Sequence, residues 1–397
     1  MGEQHREETH AERRIPFISL LVKIASQSLP ATHYALVQRA HNEPLELKSV
    51  PVQEVLPGSA VVKIVSTPVV SYAKEVYNGT RNYLYPSPFT PGTMAIGRVV
   101  AFGHDSTNLQ EGQLVYVDCM IRSRDNPSDV FLHGLHEGFT PGTRKLMSEV
   151  WRDGCWAGYC RIPLENVYPL KEGLLMKELG YRETDLATIG RYMVVYGGLK
   201  DINLQAGETI AVAPATGGFG GAAVMVAIAM GATVIAMGRN ESVLANISSK
   251  FEDGRVKVVK MTGDVEQDTR ELRKAARGPI DAAFDIAPPM AAKSTHLKAC
   301  ISAMRHGGRI SLMAGLQGDS SIPYHAVMHK DLTLKGKWMY GRDEVLGVIR
   351  LVETGVLKIG EPGGLKIAGN YPYKDWEKAL DAANTNSGWE AFVVMRP

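Results

Sequence analysis

The sequence predicts an α/β fold organised around a doubly wound parallel sheet, and three observations carry that prediction. A glycine-rich loop lies between an apolar strand-like stretch and an apolar helical one. Strand-like and helix-like segments then alternate as far as residue 313, the rhythm of parallel βαβ units. The 397 residues, 45% hydrophobic and 22% charged, suffice for roughly two to three domains with cores of their own.

Residues 1–14 are polar and of mixed charge, and the apolar run 15–25 that follows is interrupted by Lys23. Four Glu precede that run, which suits neither the basic start of a secretory signal nor an acid-poor presequence. Residues 1–30 therefore read as an N-terminal extension, and the expected compartment is cytoplasmic. Lys+Arg 44 against Asp+Glu 42 leaves +2, too little clustered charge for nucleic acid or an anionic membrane as partner. Four cysteines without a CxxC pair exclude a disulfide scaffold or a zinc ribbon.

Residues 208–214 (ETIAVAP) read as a strand buried on both faces. The run 217–238 carries no charge over 22 residues, enough to resemble a membrane span. Its glycine cluster, the break at Gly231 and the β-branched end divide it instead into a turn, a buried helix (222–230) and a buried strand (232–237). The loop Ala215-Thr216-Gly217-Gly218-Phe219-Gly220 meets GxGxxG at its second and third glycines. Gly217 would admit a pyrophosphate to the backbone, Gly220 would let the helix pack on the strand, and the helix N-terminus would face the phosphate charge. Thr216, Gly217, Gly218, Phe219 and Gly220 are thus candidate cofactor contacts.

At the end of the second strand an acid would accept hydrogen bonds from a free ribose 2′-hydroxyl. The chain has Gly238-Arg239-Asn240 there, and a guanidinium fits a 2′-phosphate, so the cofactor expected is NADP(H). Further strands are expected over 256–261, 280–286 and 308–313, with helices over 268–276 and 290–304. Ligands of such sheets sit at the carboxyl ends of strands, which adds Ala287, Ala314 and Gly315 to the cofactor contacts.

With these segments in order, residues 31–397 resemble the medium-chain dehydrogenase/reductase superfamily: alcohol dehydrogenases, quinone oxidoreductases and enoyl reductases. The stretch 57–64 (PGSAVVKI) resembles its early strand, 91–99 (PGTMAIGRV) its PGHExxGxV segment, and 111–116 its "GDxV" turn. The stretch 156–160 (WAGYC) resembles its "fAEy", and 307–310 and 389–394 its late motifs. The resemblance implies a discontinuous, β-rich GroES-like catalytic domain (31–185, returning over 340–397) around a Rossmann domain (186–339). It also implies a homodimer paired near 308–313 and 321–328.

Zinc members carry Cys, His and Glu at positions aligned with Val70, Thr93 and Met94, and a third ligand near 189–192, where this chain has none. Zinc needs about three N, S or O ligands in a catalytic site, so no metal is expected there. The four-cysteine zinc lobe is replaced by the segment 118–151, read as an insertion edging the substrate pocket; its His133-x-x-His136, with Cys155 and Cys160 downstream, makes a different metal site conceivable, against the reading of a chance pattern, which HxxH in a polar loop often is.

Without zinc, hydride transfer needs proton or hydrogen-bond donors where oxyanion charge develops. Tyr72, two places after Val70, is the first candidate, and Tyr83 or Tyr85 lies where some enoyl reductases place a catalytic Tyr. Tyr85, Phe89, Phe131, His133 and Met313 join Tyr72 and Tyr83 as pocket candidates. Arg98 and Asp118 find no role in the sequence. The expected function is NADPH-dependent reduction of an activated C=C or a carbonyl of a medium-sized organic molecule. The alternatives are a non-redox isomerisation or cyclisation on the same fold, or a non-enzymatic NADPH binder.

Overall fold

A computed structural model describes residues 29–251 and 254–397. Apart from its last two residues, the N-terminal extension expected over 1–30 lies outside the described residues.

The uncharged run resolves as its composition requires. Thr209–Ala213 is a wholly buried strand, Gly218–Ala229 a helix with apolar residues on every face, and Thr233–Gly238 the next strand. Gly231 makes the turn between helix and strand at a φ of +91°, a conformation costly for residues with a Cβ. The helix begins four residues before the expected 222, because Gly217 in extended conformation is already its N-cap. No helix among the described residues is long and apolar enough to cross a membrane.

Six parallel strands form one sheet, in the order Val256–Lys260, Thr233–Gly238, Thr209–Ala213, Ala282–Asp285, Arg309–Leu312, Thr333–Gly336. The helix Val265–Ala275 starts on Asp264, whose carboxylate accepts the Gln267 N–H. The single helix expected over 290–304 is instead a 3₁₀ turn, Pro289–Lys293, and a helix, His296–Ala303. Adjacent Pro288 and Pro289 remove two N–H donors at its start. The strand expected over 308–313 as a dimer-pairing edge is internal, because Thr333–Gly336 pairs on its outer side.

The second body is antiparallel for the most part. Ser59–Val69 pairs with Ala95–Phe102, with Tyr159–Pro163 and with the C-terminal strand Ala391–Arg396, so the end of the chain completes the sheet begun near its start. The segment 118–151 is folded: a hairpin, Met120–Arg122 with Val130–Leu132, then the helix Pro141–Glu149 capped by the Thr140 hydroxyl.

Candidate active site

Four neighbouring parallel strands end side by side, and all eleven residues expected to touch cofactor lie at their carboxyl ends: Gly238 closes a strand, Gly218, Phe219 and Gly220 open the first helix, and the rest lie in the connections between. Ala213, Asp285 and Leu312 are register partners across three of those strands. This brings the 215–220 loop beside Ala287 and beside Ala314 and Gly315, while Gly238, Arg239 and Asn240 close the other side. The groove therefore runs along the carboxyl edge of the sheet, where the peptide dipoles of the first helix point their positive ends.

Gly220 is fixed by packing: a Cβ there would stand 2.1 Å from the Pro214 carbonyl oxygen. A Cβ on Gly217 would meet nothing within 4 Å, so the space on that face of the glycine is open, while its backbone is bridged to Gly388 of the returning chain. No side chain caps the helix, and its first N–H groups are free to meet an anion.

Beyond Gly238 an open cleft of about 660 Å³ is lined by Thr216, Arg239, Asn240, Glu241 and Ser242. Asn240 is committed to capping the helix Glu241–Ser249, its Oδ1 accepting from Val243 N at 3.2 Å and from the Ser242 hydroxyl at 2.8 Å. Glu241 is paired with Lys260 at 3.2 Å. Arg239 is exposed and makes no ion pair among the described residues.

Arg191 is a residue that sequence reasoning missed. It sits in the first turn of the helix Ile189–Asp201, beside Gly218, and Gly217 is bridged to Gly388 of the returning chain. Its Nη1 donates to the Trp389 carbonyl at 3.4 Å and its Nη2 to the Ala391 carbonyl at 3.2 Å. Burial lowers its pKa, and no carboxylate among the described residues pairs with it. A cation held against the positive end of a helix lacks its natural counterion, and an anion at the loop would supply one. Nothing in the sequence flags it, because Arg191 lies far from the glycine loop in the chain.

The chemistry end is assembled from more distant parts. Tyr72 is the N-cap residue of the short helix Ala73–Tyr77, and the Arg81 guanidinium lies 4.0 Å from its ring centre. Tyr83 meets it edge-on at 6.4 Å and meets His136 of the insertion at 5.0 Å. Burial holds the Tyr72 hydroxyl well above the usual phenol range, with nearby Tyr83 adding to the shift and Arg81 opposing it. The insertion thus edges this site, and its exposed Phe139 reaches Trp338, beyond the sixth strand of the parallel sheet.

Tyr85 is placed elsewhere. It is 3% exposed, stacked on His41 and on Phe89, and burial pushes its hydroxyl up to about 12. Phe89, Phe131 and His133 are likewise enclosed in the core, at 1% exposure or less, so they do not line a pocket. Side chains of this size fill the space between sheets of the catalytic body, a packing role that no local pattern separates from pocket lining. Met313 is half-buried at the groove.

The structure supplies partners for Arg98 and Asp118. Arg98 makes a two-pronged pair with Glu172 at 2.7 and 3.0 Å. Asp118 is buried and accepts from Tyr340 Oη at 2.5 Å, Tyr116 Oη at 3.3 Å and Met120 N at 3.3 Å. Burial raises its pKa to about 6 against those hydrogen bonds. Tyr340 follows the sixth parallel strand, so this contact ties the two bodies together behind the site. Met94 meanwhile occupies the space beside Gly190: a Cβ on Gly190 would lie 1.9 Å from Met94 Sδ and 2.9 Å from Tyr116 Oη. With Val70, Thr93 and Met94 at the aligned positions, no three-donor set for a metal forms there.

Comparison with known proteins agrees with this architecture. Residues 56–172 match the alcohol dehydrogenase GroES-like domain and residues 218–354 the zinc-binding dehydrogenase family. An L-threonine 3-dehydrogenase of Streptomyces avermitilis is 25% identical over 370 residues, covering 89% of this chain and 97% of its own. A short chain alcohol dehydrogenase of E. coli CFT073, solved with NADH, superposes with a TM-score of 0.73 at 15% identity, over 93% of this chain and 100% of that one. A crotonyl-CoA carboxylase/reductase gives a TM-score of 0.73 at 16% identity, over 92% and 88% of the two chains. With both domain models matched in order along a parallel-sheet body and an antiparallel one, the chain belongs to the medium-chain dehydrogenase/reductase superfamily and is an oxidoreductase of that group.

Proposed function

We propose that the protein is an NADPH-dependent reductase that works without catalytic zinc on an activated C=C or a carbonyl of a medium-sized organic substrate. The observation that carries this reading is Arg239: a guanidinium without an ion-pair partner among the described residues, in an open cleft where a 2′-hydroxyl reader would need a carboxylate. Glu241, the one acid lining that cleft, is already engaged by Lys260.

The groove residues fit a dinucleotide. Arg239 would hold the 2′-phosphate, and the uncapped helix start with Arg191 the pyrophosphate. Ala287, Ala314 and Gly315 would border the nicotinamide, which supplies the hydride when bound. Tyr72, kept protonated by burial, donates a proton or hydrogen bond where oxyanion charge develops. Arg81 over its ring favours the phenolate that remains. Tyr83 and His136 hold Tyr72 in place from the other side. The absence of an imidazole, thiolate or carboxylate among Val70, Thr93, Met94 and Gly190 supports chemistry that does not pass through a metal at those positions. Exposed Tyr324 and Met328, next to the outer strand Thr333–Gly336, support a homodimer through that edge, and four unpaired cysteines suit the cytoplasm.

The test is substrate-dependent NADPH oxidation with cyclic enones, quinones, enoyl thioesters and aldehydes, with and without added Zn²⁺. Turnover with NADPH that zinc does not increase is the expected result. Conversion of a substrate without consumption of NADPH would replace this reading with the isomerase one, and tight NADPH binding without any turnover would leave only a binder.

A further inference from the structure

Three metal-ligating side chains meet outside the cofactor groove and take no part in the proposed chemistry. His133 directly follows the strand Val130–Leu132, and Cys155 and Cys160 flank the turn into the strand Tyr159–Pro163. One nitrogen and two sulfurs lie within 4.8 Å of one another, and all three residues are buried. Among the described residues no other group of His, Cys, Asp or Glu is gathered in this way.

His133 carries the argument. It is fully enclosed, and neither Nδ1 nor Nε2 makes a hydrogen bond of good geometry among the described residues, although the Asp153 backbone faces the ring. A neutral imidazole has one donor and one acceptor, and each polar group left unpaired in a core costs about 1–3 kcal/mol. Neutral imidazole, with a free ring nitrogen lone pair, is the form that ligates a metal. Cys155 Sγ and Cys160 Sγ stand 3.9 Å apart as free thiols. Two sulfurs bound tetrahedrally to one zinc at the usual Zn–S length stand about 3.8 Å apart.

We propose that His133, Cys155 and Cys160 form a structural Zn²⁺ site, distinct from the positions Val70, Thr93 and Met94. Charge balance selects a divalent cation: two thiolates, a neutral imidazole and Zn²⁺ sum to zero, whereas Cu⁺ would leave a buried negative charge. Binding forms two Zn–S bonds and one Zn–N bond and releases the two thiol protons to solvent. The Asp153 carbonyl oxygen, 3.6 Å from Cys160 Sγ, is at hand as a fourth donor. The site is closed, unlike a catalytic zinc, which keeps one position for water or substrate. Its place explains its use. Cys155 N donates to the Gly92 carbonyl, and Gly92 N to the Gly134 carbonyl, so the ion would clip the 118–151 insertion to the loop that bears Thr93.

The test measures metal in the full chain, expressed with zinc and purified without chelators, beside His133→Ala, Cys160→Ser and His136→Ala. One zinc per chain is expected in the wild type and in His136→Ala, and at least a tenfold loss of occupancy in the other two. Because those two variants can misfold, the wild type is also loaded with Co²⁺, which should show thiolate-to-cobalt charge transfer and the visible bands of a tetrahedral site. A wild type without stoichiometric zinc or a cobalt spectrum overturns the proposal. So do zinc retained in His133→Ala, copper in place of zinc, or a Cys155–Cys160 disulfide seen as the loss of two hydrogens in the intact mass.

Discussion

At the cofactor end of the groove, every expected contact sits at or just beyond the carboxyl end of a parallel strand, and neighbouring strands set these ends side by side. At the chemistry end, Tyr72 caps a short helix, Tyr83 lies in a loop, Asp118 follows a strand of the antiparallel body, and Tyr340 comes after the parallel sheet has ended. The first half is built by local backbone rules acting within each βα unit. The second is built by side chains that packing brings together across the whole chain. A change in the first half should therefore act through backbone geometry, and a change in the second through individual side-chain atoms.

The largest effect expected is catalytic. Tyr72→Phe should lower kcat by roughly a hundredfold or more, the usual worth of a positioned proton donor, with KM for NADPH unchanged. Tyr85→Phe, in the core, should leave kcat within about twofold, so equal losses in the two variants would erase the distinction between them. Gly220→Val comes next. Its Cβ would lie 2.1 Å from the Pro214 oxygen, and overpacking against backbone should cost about 3 kcal/mol, read as a lowered denaturation midpoint. Gly217→Ala meets nothing and should leave that midpoint in place while weakening NADPH binding. A large loss of stability from Gly217→Ala would show that the loop is a packing element rather than a ligand cradle.

Asp118 gives a test by pH. Folding raises its pKa from about 4 to about 6, so the folded state holds the proton more tightly and stability falls as pH rises through that window. The amount is roughly 3 kcal/mol. The informative quantity is the difference between wild type and Asp118→Asn in urea unfolding between pH 4 and pH 7. The variant should gain on the wild type as pH rises, and a constant difference would remove Asp118 from the ledger. Arg191→Met should weaken NADPH by about tenfold or somewhat more, as loss of one charge-assisted contact does. The apoprotein should keep its stability within about 1 kcal/mol, because the half-buried cation removed is held by only two long hydrogen bonds to carbonyls. A destabilised apoprotein with normal NADPH affinity would make Arg191 a structural tie to the Trp389 and Ala391 carbonyls and nothing more.

How much was legible in the sequence follows the same division. The strand, glycine loop and helix from 208 to 230 were readable because glycine placement and uninterrupted apolar runs are local signals, and only the helix start moved, to Gly218. Arg191 was not readable, since its meeting with Gly218 depends on how a preceding helix docks beside the loop. Asp118 and Tyr340 meet across more than half the chain, and Tyr85 differs from Tyr83 only in the direction its ring takes. His133, Cys155 and Cys160 stood out as a possible metal pattern only together with His136, and the helix and turn between residues 133 and 160 left no spacing to show that His136 stays outside the group. The dimer-edge expectation failed at Arg309–Leu312 because the sixth strand, Thr333–Gly336, is short and polar and reads weakly as a strand.

The central claim is that Arg239 makes this an NADPH site, and calorimetric titration of the wild type and of Arg239→Ala with NADPH and NADH tests it most directly. The account predicts that the wild type prefers NADPH and that the variant loses about tenfold to a hundredfold in NADPH affinity while its NADH affinity stays the same. Equal affinity of the wild type for both nucleotides, or an unchanged preference in the variant, would contradict it.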